Sequence, residues 1–407
     1  MWESARQGCD SCAPLLRYRA MNEFGSTMRR LHRELRHRKL PMVRLLGRFV
    51  RCESPTGNKA AVDKMGHIVA GEWRRRGAKV SILRQEKRGD HVRAEVSLGP
   101  GCPAGQLLIL GHFDTVYPLG TLARMPFHVS GGRAWGPGTF DMKAGLVLAL
   151  AAIDALKSVG LRPRKRFVFF WNSDEEIDSG TSRRLIEREA RRSDAVLVLE
   201  PAYGPDGRLK TARKGVGTVT IEVAGRAAHA GLDPEAGVNA VHELALQTAR
   251  LIKMNDPRRG ITVQETVIEG GTVPNVVPDR ARAQVDVRIA KLADAPWLER
   301  KLHGLRPILN GARIEIRGGI NRPPLEPTPA GRSLFLRAQS LMREIGLPLG
   351  ECFAGGGSDG NFTAALGIPT LDGLGAVGDG AHSPREHIAV RSLPDRAALL
   401  AGLLATL

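Results

Sequence analysis

LLILGHFDTVYP, residues 107–118, opens with four apolar residues in a row and closes on polar ones. A run with no polar alternation predicts a strand covered on both faces. Three more runs have this texture: VSIL (80–83), FVFFW (167–171) and VLVL (196–199). Between them lie AGLVLALAAIDALKSVG (144–160) and TSRRLIEREARR (181–192), which carry helical spacing. Strands alternating with helices predict an α/β domain built on a covered mixed sheet. His112, Glu176 and Glu200 each follow the end of one of these strands. In open α/β sheets ligands bind outside the carboxyl ends of strands, so these three residues are expected to converge.

From Lys214 the rhythm changes. The order becomes strand (VGTVTIEV), helix (NAVHELALQTARLI), strand (ITVQETVI), strand (RARAQVDVRI), helix (PWLERKLHGL) and strand (ARIEIR). That βαββαβ order suits a small ferredoxin-like unit inserted in the larger domain. The expected division is a catalytic domain over 39–213 and 324–407, an inserted dimerisation or lid domain over 214–323, and a disordered basic extension over 1–38. The inserted unit's helices leave a sheet face or edge free to pair with a second subunit.

Composition narrows the class. The 407 residues exceed one ordinary core, and 42% hydrophobic with 25% charged residues describes a globular protein. No apolar run reaches the roughly 18 residues of a membrane span. The first 21 residues show no apolar stretch behind a basic one, so a secretory signal is not expected and the cytoplasm is. Five cysteines in a chain this long do not suggest a disulfide framework, and the lone Cys9/Cys12 pair is a weak metal signal. The net charge is +18, but residues 1–95 hold 22 Lys/Arg and 10 Asp/Glu, a net of +12. Without interleaved aromatic residues this charge does not predict a dedicated nucleic-acid site. It does favour anionic substrates by steering.

Five short patterns carry metal-type ligands: His112 in GHFDTVYP, Asp141 in WGPGTFDMKAG, Glu176 in NSDEEIDSG, Glu200 in VLVLEP and His382 in GDGAHSPREH. Singly, most have simpler explanations. Asp141 suits a helix N-cap, the SDEE cluster suits a helix N-terminus, and His382 suits a surface loop. Together, two imidazoles and three carboxylates match two adjacent zinc ions that share one carboxylate. His112 and Asp114 lie two apart on a strand end and so share a face, where a carboxylate can orient a metal-binding imidazole.

The order GHFDTVY, GPGTFDMKAG, DEE, LEP, AAHAG, PNVVP, DVR, GGGSD and HSPREH resembles the M20 metallopeptidase family, closest to its glutamate carboxypeptidase branch, over about residues 40–407. The resemblance implies two zinc ions per subunit, with His112 and Glu200 on one, Glu176 and His382 on the other, and Asp141 bridging, followed by a cis peptide to Met142. Cobalt or manganese also suits such donors. It further implies Asp114 as the orienting carboxylate, Glu175 as general base, and His229 as an oxyanion stabiliser reaching the partner subunit of a homodimer. Asn275, Arg288, Arg322, Arg208, Gly356, Gly357 and Ser358 would contact the substrate. The implied reaction cleaves a peptide or N-acyl amide beside a free carboxylate, releasing a C-terminal residue such as glutamate. An N-acyl amino-acid deacylase or dipeptidase uses the same ligands. A basic binding protein on a hydrolase scaffold is disfavoured by the intact Glu175.

Overall fold

Two hydrophobic cores divide the chain. The computed structural model describes residues 13–407, with side chains from residue 25 onward. The larger core surrounds a six-stranded sheet in the order Lys79–Leu83, His91–Val96, Arg166–Asn172, Gln106–His112, Ala195–Val198, Thr370–Leu371. Gln106–His112 pairs in parallel with both of its neighbours, and the first two pairings in the order are antiparallel. The sheet is therefore mixed, as expected.

Alternation along Gln106–His112 sends Leu107 and Ile109 to one face and Leu108 and Leu110 to the other. The first face is covered by Lys39–Val50, Lys59–Arg75, Ala144–Ser158 and Leu393–Thr406, the second by Arg183–Ala190 and its neighbours. Burial on both faces is why these strands read as unbroken apolar runs. Lys79–Leu83 is the exception, an edge strand that is only half-buried. His91–Val96 has no such run, because Val92, Ala94 and Val96 alternate with polar residues.

The expectation of a disordered extension over 1–38 is corrected from residue 13 onward. Ala13–His37 is one helix, and Met28, Leu31 and Leu35 are buried in the main core against Leu393–Thr406 and Ala144–Ser158. The approach is close: a Cβ added at Gly402 would sit 2.5 Å from Met28 Sδ. The spacing of three and four residues between these apolar side chains is helical, but MRRLHRELRHRK surrounds them with basic groups that face solvent. Cys9 and Cys12 lie outside the described residues. Among the described residues, no helix is long and apolar enough to cross a membrane.

The second unit has its own core. Thr262–Gly270, Arg280–Ile289, Gly215–Ala224 and Arg313–Arg322 form an all-antiparallel sheet in that order. Ala240–Ile252 and Ala295–His303 pack on it through Leu244, Leu251, Leu298 and Leu302. This is the βαββαβ insertion of the sequence reading. Arg213 and Leu325 exchange backbone hydrogen bonds where the chain leaves and re-enters the larger unit.

Candidate metal centre

The five ligand-type side chains meet at one end of the main sheet. His112, 1% exposed, ends its strand with Nε2 3.1 Å from Asp141 Oδ1 and 3.5 Å from Glu200 Oε1. His382 Nε2 lies 3.2 Å from Glu176 Oε2 and 3.5 Å from Asp141 Oδ2. Two triads result, His112–Asp141–Glu200 and Asp141–Glu176–His382, each with its donor atoms within 4.8 Å of one another. Asp141 belongs to both.

Asp114 builds the floor. It is fully buried, and its Oδ1 lies 3.3 Å from His112 Nδ1. Its carboxylate also accepts the backbone N–H groups of Glu175 and Glu176, at 3.4 and 3.3 Å, and the Thr56 hydroxyl at 2.8 Å. One carboxylate thus fixes the imidazole of one strand end and the turn at the next.

The electrostatics show a site short of positive charge. Burial raises the Glu176 carboxyl to about 7, with the neighbouring Asp141 adding to it and His382 opposing. Glu176 Oε1 is buried without a hydrogen-bond partner. Burial disfavours a charged His112, yet Asp114, Asp141 and Glu200 outweigh it and hold the ring well above its usual range. Asp141 and Glu176 raise His382 to about 10. Three crowded carboxylates, two imidazoles and an orphaned oxygen are the donor set that a pair of divalent cations neutralises. The residues present fit such a pair.

A tight loop presents Asp141. Gly138 has φ 70°, in the left-handed region that favours glycine, and the Asp141–Met142 peptide is cis. Glu386, fully buried, accepts the N–H groups of Gly138, Phe140 and Asp141 at 2.9, 2.7 and 2.9 Å, and the Tyr117 hydroxyl at 2.6 Å. The sequence reading missed this residue, although it sits four positions after His382 in the same motif. Glu386→Ala is expected to weaken metal binding by about 10–100-fold, the usual effect of losing a group that orients a ligand. Competition with a chromophoric chelator measures this, and an unchanged affinity would mean the loop holds itself.

Residues 108–406 match the family model for peptidase family M20/M25/M40. The chain belongs to this family. It is 31% identical over 369 residues to carboxypeptidase G2 of Pseudomonas sp. (strain RS-16), covering 89% of this chain and 88% of that protein. It is 29% identical to the succinyl-diaminopimelate desuccinylase of Dechloromonas aromatica (strain RCB), over 75% of this chain and 84% of that one. Its fold is similar to aminopeptidase PepT from Bacillus cereus ATCC 10987, with TM-score 0.72 and 22% identity over 90% of this chain and 98% of that one. Membership makes the chain a metal-dependent peptidase or amidohydrolase.

The other anticipated residues of this M20 peptidase fall into three groups. Glu175 stands beside the cluster, and burial raises its carboxyl well above the usual range while Arg322 and His112 oppose. Gly356, Gly357 and Arg208 line the cleft in front of the cluster. Arg208 rests over the Tyr203 ring at 4.9 Å and bonds Asp206 at 3.2 Å. Arg288 uses Nε and Nη2 on Asp286 and one Nη1 bond on the Gly355 carbonyl, all at 2.9 Å. Two of its five N–H groups remain for a ligand.

Two expectations are corrected. Arg322 was expected to grip a substrate carboxylate, but it is 4% exposed and its guanidinium is turned onto the protein's own groups. It bonds Asp359 at 2.5 Å, the Ser179 hydroxyl and the Glu175 carbonyl at 3.0 Å, and lies 3.2 Å from Glu175 Oε1. Ser358, expected to let its backbone approach a substrate, is fully buried and does not line the cleft, and its hydroxyl bonds Asp372 at 2.5 Å.

His229 and Asn275 form the third group. Ala230 N donates to the Asn275 carbonyl at 2.9 Å, and His229 pairs with Val276 across a bridge. Both are exposed on the inserted unit, and neither lines the cleft of its own chain.

Proposed function

We propose that the chain is a di-zinc exopeptidase that hydrolyses an amide beside a free carboxylate and releases a C-terminal amino acid such as glutamate. The observation that carries this reading is the pair of donor triads sharing Asp141, with Glu175 at their side. His112 and Glu200 would hold one ion, Glu176 and His382 the other, and Asp141 both. When bound, the ions polarise the scissile carbonyl and acidify water.

The protein's own groups supply the rest. Glu175 takes a proton from the attacking water and returns it to the departing nitrogen. Burial holds its carboxyl above the usual carboxylate range, the direction that suits a base that must also act as an acid. Arg322 fixes the Glu175 side chain and carbonyl in place. Arg288, with two N–H groups left over, would receive a substrate carboxylate.

His229 and Asn275 stand together away from their own cleft, which supports their acting on a partner's site in a homodimer. Helix Ala240–Ile252 and strand Thr262–Gly270 carry the exposed Ile252 and Ile268, at 60% and 59% exposure, as contact surface. Mixing His229→Ala with Glu175→Ala subunits is expected to restore activity through heterodimers. A verified heterodimer with none would argue against sharing.

The reading itself is tested with a panel of N-acyl amino acids and dipeptides that vary the C-terminal residue. Hydrolysis should stop on verified zinc removal by EDTA and return when zinc is restored. Full activity in the metal-free protein would overturn it.

A further inference from the structure

The turn that carries Glu175 and Glu176 is strained, and a histidine outside the metal centre grips it at both ends. Residues 175–177 form one tight turn, and the next two, Asp178 and Ser179, have φ of 75° and 55°. That left-handed region is uncommon for residues other than glycine, and two of them in a row need support from outside. Asp114 and Arg322 supply it in the middle of the segment, at the backbone of Glu175 and Glu176 and at the Ser179 hydroxyl.

His91 supplies it at the ends. Its ring is fully buried at the start of strand His91–Val96. Nδ1 lies 3.0 Å from the Ser173 hydroxyl and Nε2 lies 3.1 Å from the Thr181 hydroxyl, so one imidazole spans the segment 173–181. Ser173 donates its hydroxyl proton to the Gly89 carbonyl at 2.5 Å, which leaves its oxygen to accept from Nδ1. Thr181 Oγ1 lies between Nε2 and Asp174 Oδ2, 2.7 Å away, and the Thr181 N–H donates to the same carboxylate oxygen at 2.7 Å. The Asp174 carbonyl accepts the N–H groups of Ile177 and Ser179 at 3.3 and 2.9 Å and closes the turn from inside. Asp174 Oδ1 is buried with no hydrogen-bond partner among the described residues. The Asp174 carboxylate therefore depends on Thr181, which is tied in turn to His91.

We infer that His91 is a positioning residue for the base and for the second ligand triad. By joining Ser173 to Thr181 it holds the strained turn in the shape that brings Glu176 to Asp141 and His382, with Glu175 beside them. No atom of His91 belongs to either triad, so its influence passes through the backbone of the turn. This rests on the di-zinc hydrolysis reading above and adds a group to its site. The triad of His112, Asp141 and Glu200 uses no residue of the turn and should not feel the loss of His91.

Metal affinity tests it without a substrate. Competition for zinc with a chromophoric chelator should resolve two binding steps, one removed by Glu176→Ala and the other by Glu200→Ala. His91→Ala should weaken the first by about tenfold or more, the effect of losing a group that orients a ligand, and leave the second unchanged. Turnover should show the matching split, with kcat lower by about 10–100-fold, as for a displaced catalytic group, and KM little changed. His91→Gln keeps an amide that reaches one of the two hydroxyls and should recover part of both losses. Should His91→Ala fail to fold, Thr181→Val, which cuts one arm and leaves the ring, should weaken the same zinc step. Leu400→Ala, in the core of helix Leu393–Thr406, lowers stability elsewhere and should leave both steps as they are. Equal weakening of both steps by His91→Ala, no weakening of either, or the same change in Leu400→Ala overturns the role.

Hydrogen exchange separates this from a failure of the hydrolysis reading. If no amide of the panel is cleaved and no zinc binds, that reading falls. The fastening of the turn by His91 still stands if the backbone N–H groups of residues 175–181 exchange about tenfold faster in His91→Ala than in wild type, with those of Gln106–His112 unchanged. Equal exchange in the two proteins overturns it as well.

Discussion

Glu175→Gln is expected to keep its full complement of zinc while kcat falls by about 10²–10⁴-fold, the range for loss of a general acid–base group. The two halves of this result come from different contacts. No donor atom of Glu175 belongs to either triad, so removing its charge leaves the ligand set whole. The neighbouring Glu176 is a member, and the two side chains diverge because residues 175–177 form a single tight turn. Its backbone is held by Asp114 and Arg322 rather than by its own carboxylate, so the amide should preserve the turn. Metal analysis beside single-turnover rates measures both halves. Equal loss of zinc and turnover would make Glu175 a ligand instead of the base.

The second large effect is on stability. Arg322→Ala should lower the unfolding free energy by about 3–5 kcal/mol, because breaking a buried ion pair strands the remaining charges. Arg322 faces Glu175 and Asp359, and its own side chain is 5% exposed. Urea unfolding followed by circular dichroism reads the loss, and Arg322→Lys should recover only part of it, since an ammonium cannot reproduce the planar fork. A gripping role for Arg322 would give a different result: a raised KM with stability unchanged. Glu175 should also be less firmly placed in Arg322→Ala, so kcat is expected to fall with stability.

The ligand set was legible because each member carries its context locally. A strand that ends on His112, a glycine-rich turn before Asp141 and a buried strand closing on Glu200 are all short-range patterns. The supporting groups were less legible. Glu386 meets residues 138–141 from about 245 positions away, and Asp372 meets Arg213 from 159. No spacing rule links such positions, and a buried carboxylate in a loop looks like a solvated one until its donors are seen. Residues 28–35 failed for another reason. Their apolar positions have helical spacing, but the basic residues between them dominate the local composition.

By itself the sequence determined the α/β class, the inserted βαββαβ unit, the five convergent ligand-type residues and membership of the metallopeptidase family. These follow from periodicity and from motifs that each fit within one strand end or one turn. Tertiary structure alone decided what the arginines do. Arg322 and Arg288 both stand on strands of the inserted unit and look equally free in the sequence. Burial gave Arg322 two carboxylates to neutralise and left Arg288 at the border between the units with N–H groups to spare. Charge in a sequence is only a count. Its function depends on which opposite charges the fold brings within reach and how much water it removes.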